Sequence, residues 1–359
     1  MLNAREAVRT LPIYHPPLVG RNGLRLDFNE NTVGCSPRVL ERLRQIGVEE
    51  LARYPEREPV EAVVAGYLEV KPEELLLTNG VDEAIHLICE TYLQLDDEAL
   101  IVVPTFSMYE IFARAPGARI INIPAGMNFS FPTHTILRHI TPTTRLIAIA
   151  NPNNPTGAAA PEEELMLVAR SAPHAAVLVD EAYFEFHGQS VREKWRELPN
   201  LFVARTFSKA YGLAGLRAGV LMGDARQMSS VRKVASPYNV NSIALACLPV
   251  ALEDAGYVAR YVTEVCEGRE RLQRELQNLG IPFWPSRANF VLMRMGEANA
   301  AFVRAMREHG ILVRDRSHDP GCEGCVRITL GSAEQTDQLL ATLREVLAEI
   351  GVARQEVQP

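Results

Sequence analysis

The chain has 359 residues, 47% of them hydrophobic, and a formal net charge of −7, so it can bury a large core and is long enough for two domains. An acidic balance without any Lys/Arg run argues against a nucleic-acid partner, and the longest apolar runs, 146–150 and 175–179, are strand-length, so no membrane span is expected. Residues 1–10 carry Arg5, Glu6 and Arg9 without the apolar stretch of a secretory signal, and six scattered cysteines suit a reducing cytosol.

In chain order, short apolar runs at 75–78, 99–103, 119–123, 145–150, 176–180, 201–204 and 218–222 alternate with amphipathic stretches of helical length, such as 82–95 and 161–170. This alternation predicts an α/β unit whose mostly parallel sheet is covered by helices on both faces. Beyond Gly223 the pattern changes to a long charged helix over 257–279, a strand over 289–294, a helix over 298–310, an apolar run at 326–330 and a final helix. The chain divides on this reading into a large domain, 30–245, and a smaller α+β domain made of 1–29 and 246–359. Ligands of open α/β sheets bind outside the carboxyl ends of the strands, and the polar residues of interest fall at those ends.

Four segments carry chemistry. Thr78-Asn79-Gly80-Val81-Asp82-Glu83 follows a strand and opens a helix, where free N–H groups can hold an anion; taken alone it reads as an ordinary strand-to-helix loop with Asp82 as an N-terminal charge. Asn151-Pro152-Asn153-Asn154-Pro155-Thr156-Gly157 is a rigid polar turn that would present the Asn154 amide as a donor. Asp180 ends a buried strand, just before Glu181-Ala182-Tyr183. A carboxylate there needs a partner, either a structural cation or a protonated ring nitrogen. In Arg205-Thr206-Phe207-Ser208-Lys209-Ala210-Tyr211-Gly212-Leu213-Ala214-Gly215-Leu216-Arg217, hydroxyls, a lysine and an arginine share one turn-rich loop. That set suits a phosphate and a nucleophilic amine. Cys322-x-x-Cys325 is the one metal-like spacing, and without a second pair or nearby histidines it reads as metal-free.

Together, N-P-T-G, D-x-A-Y about 26 residues later and S-K-x-x-x-x-x-G-x-R resemble the fold-type I pyridoxal-phosphate (PLP) aminotransferases. The resemblance covers nearly the whole chain and is sharpest to the histidinol-phosphate aminotransferase branch of the class-II enzymes. It is carried further by Leu11-Pro12-Ile13-Tyr14, Leu26-Asp27-Phe28-Asn29-Glu30-Asn31, Arg53-Tyr54-Pro55, Pro104-Thr105-Phe106-Ser107-Met108-Tyr109, Ile311-Leu312-Val313-Arg314 and Cys325-Val326-Arg327-Ile328-Thr329-Leu330-Gly331.

The resemblance implies a large domain with a seven-stranded sheet, a smaller α+β domain, PLP as cofactor, no metal, and a cytoplasmic homodimer with shared active sites. It implies Lys209 as the Schiff-base lysine and proton shuttle, Asp180 as partner of the ring nitrogen, and Tyr183 with Asn154 at the ring's 3′ oxygen. Tyr109 would stack on the ring. The cofactor phosphate would be held by the backbone of Val81 and Asp82, by Thr206, Ser208 and Arg217, and by Tyr54 of a second subunit. Substrate would meet Tyr14, Asn29, Asn154, Arg314 and Arg327. Two departures stand out: Val81 replaces the family's Ser or Ala, and Thr32 replaces a proline after Asn29-Glu30-Asn31.

Arg314 and Arg327 lie 13 residues apart, and two guanidiniums suit a dianionic phosphate better than one carboxylate. The expected reaction is ping-pong transfer of an amino group between histidinol phosphate and 2-oxoglutarate. If Arg327 alone binds an anion, the donor becomes an aromatic amino acid. A threonine-phosphate decarboxylase would keep the same cofactor and break a different bond. A PLP-sensing transcription regulator would call for a basic DNA-binding domain, for which the 25 or so residues before Leu26 leave no room.

Overall fold

A computed structural model describes residues 2–15, 20 and 22–352. Its central feature is a seven-stranded sheet in the spatial order Leu75–Thr78, Gly219–Gly223, Leu201–Thr206, Ala176–Asp180, Thr144–Ala150, Glu98–Val103, Arg119–Pro124. Only Gly219–Gly223 runs against its neighbours. All seven predicted strands are present.

Period-2 geometry explains why this sheet is covered on both sides. Val177, Val179, Leu201, Val203, Val220 and Met222 enter one apolar cluster, while Ala176, Leu178, Phe202, Ala204 and Leu221, at the alternate positions, enter another. Helix Gly80–Tyr92 closes the second face with Val81, Ala84, Ile85 and Ile88, spaced to lie along one side of the helix.

The chain leaves Glu98–Val103 outward to the edge strand Arg119–Pro124 and returns to Thr144–Ala150 on the other side of it. Strand order therefore reverses between Glu98–Val103 and Thr144–Ala150, and the loops that follow these two strands diverge to leave a crevice.

The smaller unit is a four-stranded antiparallel sheet in the order Arg314–Asp315, Cys325–Thr329, Phe290–Arg294, Phe283–Trp284. Val291, Met293, Val326 and Ile328 face the main apolar cluster, so the alternate residue Arg327 is turned to the opposite side. Leu24–Arg25 pairs with Ile311–Leu312, which ties the N-terminal segment to this unit. Within 1–29 and 246–359, residues 1, 16–19, 21 and 353–359 lie outside the described residues.

The division drawn at 245/246 falls inside helix Ser242–Glu253, which packs on Pro37–Arg44 and Glu58–Leu68. The chain turns by 77° between this helix and Ala255–Asn278, so we place the change of unit at Asp254. Among the described residues no single helix is long and apolar enough to cross a membrane.

Candidate active site

The carboxyl ends of the large-sheet strands and one face of the small sheet enclose a cavity of about 470 Å³. The N-terminal segment forms its third wall. There Asp27 O accepts from Arg327 Nη2 at 2.7 Å and Phe28 O accepts from Lys209 Nζ at 3.2 Å. Asn29 Nδ2 donates to the Tyr183 hydroxyl at 2.8 Å. Asn29 holds φ at +55° and is clamped by Thr329 and Asn289. An asparagine tolerates this left-handed backbone better than a bulkier residue.

Asp180 lies at the floor. One carboxylate oxygen accepts from the Tyr109 hydroxyl at 2.5 Å, the other from the Ala182 N–H at 2.9 Å. Burial pushes its pKa up to about 6 against the pull of those two donors. Among the described residues it has no cationic partner. Lys209 is half-buried on the same cavity, and desolvation of its amine, aided by the Arg327 charge, brings it down to about 8 while Glu30 and Asp82 pull the other way. Burial also raises the Tyr183 phenol, opposed by Arg327 and by the Asn29 hydrogen bond.

Arg217, Asp82, Thr206 and Ser208 form the wall beside the start of helix Gly80–Tyr92. Arg217 Nη2 donates to Asp82 Oδ2 at 2.9 Å and the two hydroxyls are 2.9 Å apart. A Cβ at Gly80, where φ is +76°, would come within 2.7 Å of the Arg217 guanidinium; the glycine is what lets the arginine lie against the helix start. Guanidinium, hydroxyls and free N–H groups are the donor set a phosphate ester requires.

On the opposite side Arg327 donates to Asn154 and stands over the Phe290 ring at 5.2 Å. Burial and then the Arg316 charge bring its pKa down to about 9. Arg314 is directly opposite Arg327 on the neighbouring antiparallel strand and lies 5.1 Å over the Phe28 ring. Adjacent residues in such a pair share a face, so both guanidiniums reach the cavity.

The structure brings together Tyr14, Asn29, Val81, Asp82, Tyr109, Asn154, Asp180, Tyr183, Thr206, Ser208, Lys209, Arg217, Arg314 and Arg327. Tyr54 lies outside this cavity. It is 77% exposed and stacks on Tyr238 with ring centroids 4.3 Å apart. Thr32 donates to the side chain of Gln335, which ties the entry segment to the first turn of helix Ala333–Glu349. Two cavity residues that the sequence analysis passed over are Arg316 and Asp319. The signal for the first was the alternation Arg314-x-Arg316 beside a strand. Cys322 and Cys325 are buried free thiols packed with Leu292, and among the described residues no metal-ligating group of three or more exists.

The cavity thus joins a lysine, two hydroxyls and a guanidinium beside a helix start to a buried carboxylate with no cationic partner among the described residues and to an arginine-rich wall. The sequence matches the family Aminotransferase class I and II over residues 21–343, and the chain belongs to that family. Within it, this protein is similar to two curated histidinol-phosphate aminotransferases. The one from Thermoanaerobacter pseudethanolicus is 33% identical over 90% of this chain and 93% of the relative. That from Caldanaerobacter subterraneus subsp. tengcongensis is 36% identical over 82% and 84%. Its fold is also close to the crystal structure of histidinol-phosphate aminotransferase from Sinorhizobium meliloti in complex with pyridoxal-5′-phosphate. The TM-score is 0.88, with 25% identity over 98% of this chain and 99% of that one.

Proposed function

We propose that this protein is a PLP-dependent aminotransferase that exchanges an amino group between L-histidinol phosphate and 2-oxoglutarate, acting in histidine biosynthesis. The observation that carries the substrate class is the register that sets Arg314 beside Arg327 on the cavity that holds Lys209. A phosphate monoester dianion matches two convergent guanidiniums, whereas an amino-acid carboxylate needs one.

The residues fit PLP. Asp180 lacks the cation that a protonated ring nitrogen would provide, and Arg217, Thr206, Ser208 and the helix start offer a phosphate cradle. When bound, the cofactor supplies an electron sink for the bond broken at the substrate Cα. Asp180 would keep the ring nitrogen protonated. The Tyr183 hydroxyl, oriented by Asn29, and the Asn154 amide would face the ring oxygen, with Tyr109 against the ring. With a pKa near 8, the Lys209 amine is neutral in a useful fraction at physiological pH and can accept the Cα proton at Nζ. The phosphate of the donor would rest between Arg314 and Arg327, with Tyr14 at the mouth. Asp27 and Phe28 cap the cavity from the N-terminal side and limit water.

The same proposal places the enzyme in the cytoplasm as a homodimer in which Tyr54 completes the phosphate cradle of the second subunit. Its exposure on the surface next to Tyr238 supports that reading.

The test is an absorbance scan of the PLP-loaded protein before and after adding L-histidinol phosphate without 2-oxoglutarate. The visible cofactor band should convert to a near-ultraviolet one. A band that ignores histidinol phosphate but converts with phenylalanine would move the donor to aromatic amino acids. Release of CO₂ would make the reaction a decarboxylation, and no band after adding PLP would overturn the assignment.

A further inference from the structure

The strand Arg314–Asp315 does not end its pairing at Asp315: Arg316 N–H donates to Cys325 O at 2.9 Å. Arg316 therefore follows Arg314 by one full pleat and shares its face. Both line the cavity. The chain then turns back, with Asp319 N–H donating to Arg316 O at 3.0 Å, and the Asp319 carboxylate forms an ion pair with the Arg316 guanidinium. The pair is sheltered, with side chains 15% and 26% exposed, so Asp319 keeps Arg316 pointed into the cavity rather than out to water. Arg316 Nε is buried and has no hydrogen-bond partner among the described residues, which leaves a donor open.

Three guanidiniums, Arg314, Arg316 and Arg327, line this end of the cavity. Arg316 is paired with Asp319, and Arg314 has no ion-pair partner among the described residues. Several convergent guanidiniums suit a phosphate monoester dianion better than a singly charged anion. Arg316 is also the neighbouring charge that acts most on Arg327, so the repulsion falls on the residue that must bind an anion.

We propose that Arg316, held in place by Asp319, is a third guanidinium of the distal anion subsite and sets the preference for phosphorylated over unphosphorylated amine donors. This rests on the aminotransferase reading given above. Asp319 competes with the incoming phosphate for Arg316. It thereby weakens binding of singly charged anions, which cannot displace it, more than binding of a dianion.

The experiment compares the PLP-loaded wild type with Arg316→Gln, Arg316→Lys and Asp319→Asn, using L-histidinol phosphate and L-histidinol as donors. Inorganic phosphate serves as a competing probe. Arg316→Gln should raise KM for histidinol phosphate roughly 10-fold and weaken inhibition by phosphate similarly. It should leave kcat and the reaction with histidinol within about 2-fold. Arg316→Lys should recover part of the loss, since a point charge replaces a fork. Asp319→Asn should tighten phosphate inhibition. If Arg316→Gln changes both donors equally, or neither, Arg316 is no more than the structural partner of Asp319 and the proposal fails. If the wild type itself does not turn over histidinol phosphate, the functional reading fails instead. Retention of the cofactor band in each variant marks it as folded.

Discussion

At the cofactor end of the cavity Arg217 is matched by the Asp82 carboxylate, while the Asp180 carboxylate meets the Tyr109 hydroxyl and the Ala182 N–H but, among the described residues, no cation. At the distal end Arg316 is paired with Asp319, Arg314 stands over an aromatic ring with no ion-pair partner among the described residues, and Arg327 meets an amide and a backbone carbonyl. The cofactor end is built on the termini of buried parallel strands, whose positions are locked by two apolar clusters. The distal end comes from a short antiparallel edge and the turn after it. On the proposed assignment one end holds a bound cofactor and the other an anion that arrives and leaves, and guanidiniums without a paired carboxylate leave binding energy to be realised with that anion.

The sharpest way to break this contrast is at Lys209. Lys209→Ala should retain the fold and the phosphate cradle yet lose turnover by roughly 10⁴-fold, measured as steady-state transamination. Near-normal turnover would remove the lysine from the chemistry. Mixing this variant with Tyr54→Phe subunits should restore part of the activity if cavities are shared across a dimer.

Asp180→Asn should lower turnover by about 10²- to 10³-fold, and it also probes the resting state. A carboxyl raised from 3.8 to about 6 binds its proton more readily folded than unfolded. Its contribution to stability is therefore fully present below pH 3.8 and is lost as pH rises through about 6. The wild-type apoprotein should lose stability across that window, on the order of 3 kcal/mol at the upper limit, and Asp180→Asn should not. Denaturant melts of both apoproteins between pH 4 and 7 decide it; parallel curves would show that Asp180 is not the group that titrates.

The smallest of the three effects belongs to the distal end. Arg314→Gln should reduce kcat/KM for the phosphorylated donor roughly 30-fold, through KM. The affinity for PLP, read from the cofactor band, should be unchanged. A loss of cofactor affinity would mean that the two ends are not independent.

Much of the cofactor end could be read from the chain because its residues come in compact segments. Asp180 to Tyr183 and Thr206 to Lys209 each span four positions, and each follows an apolar run that had to be a strand. The distal end was legible only in part. Arg314 and Arg327 drew notice as a pair of cations, but Arg316 stood unremarked in a polar stretch, because nothing local shows which way a short edge strand turns its side chains. The division drawn at 245/246 falls within a helix for a related reason: Ser242–Glu253 is apolar nearly all round, so its sequence does not say which unit it covers.

The continuous apolar runs alone specify the buried strands of the α/β sheet, and the residues proposed to hold the cofactor lie within short stretches of backbone. Which charges end up compensated was decided by tertiary structure alone. Tyr109 meets the Asp180 carboxylate across 71 positions and Arg217 meets Asp82 across 135, whereas Arg327 meets the Asp27 backbone carbonyl across 300. Hydrogen bonds form or fail within a few tenths of an ångström. At such separations only the packing of strands and the register between them bring the partners that close.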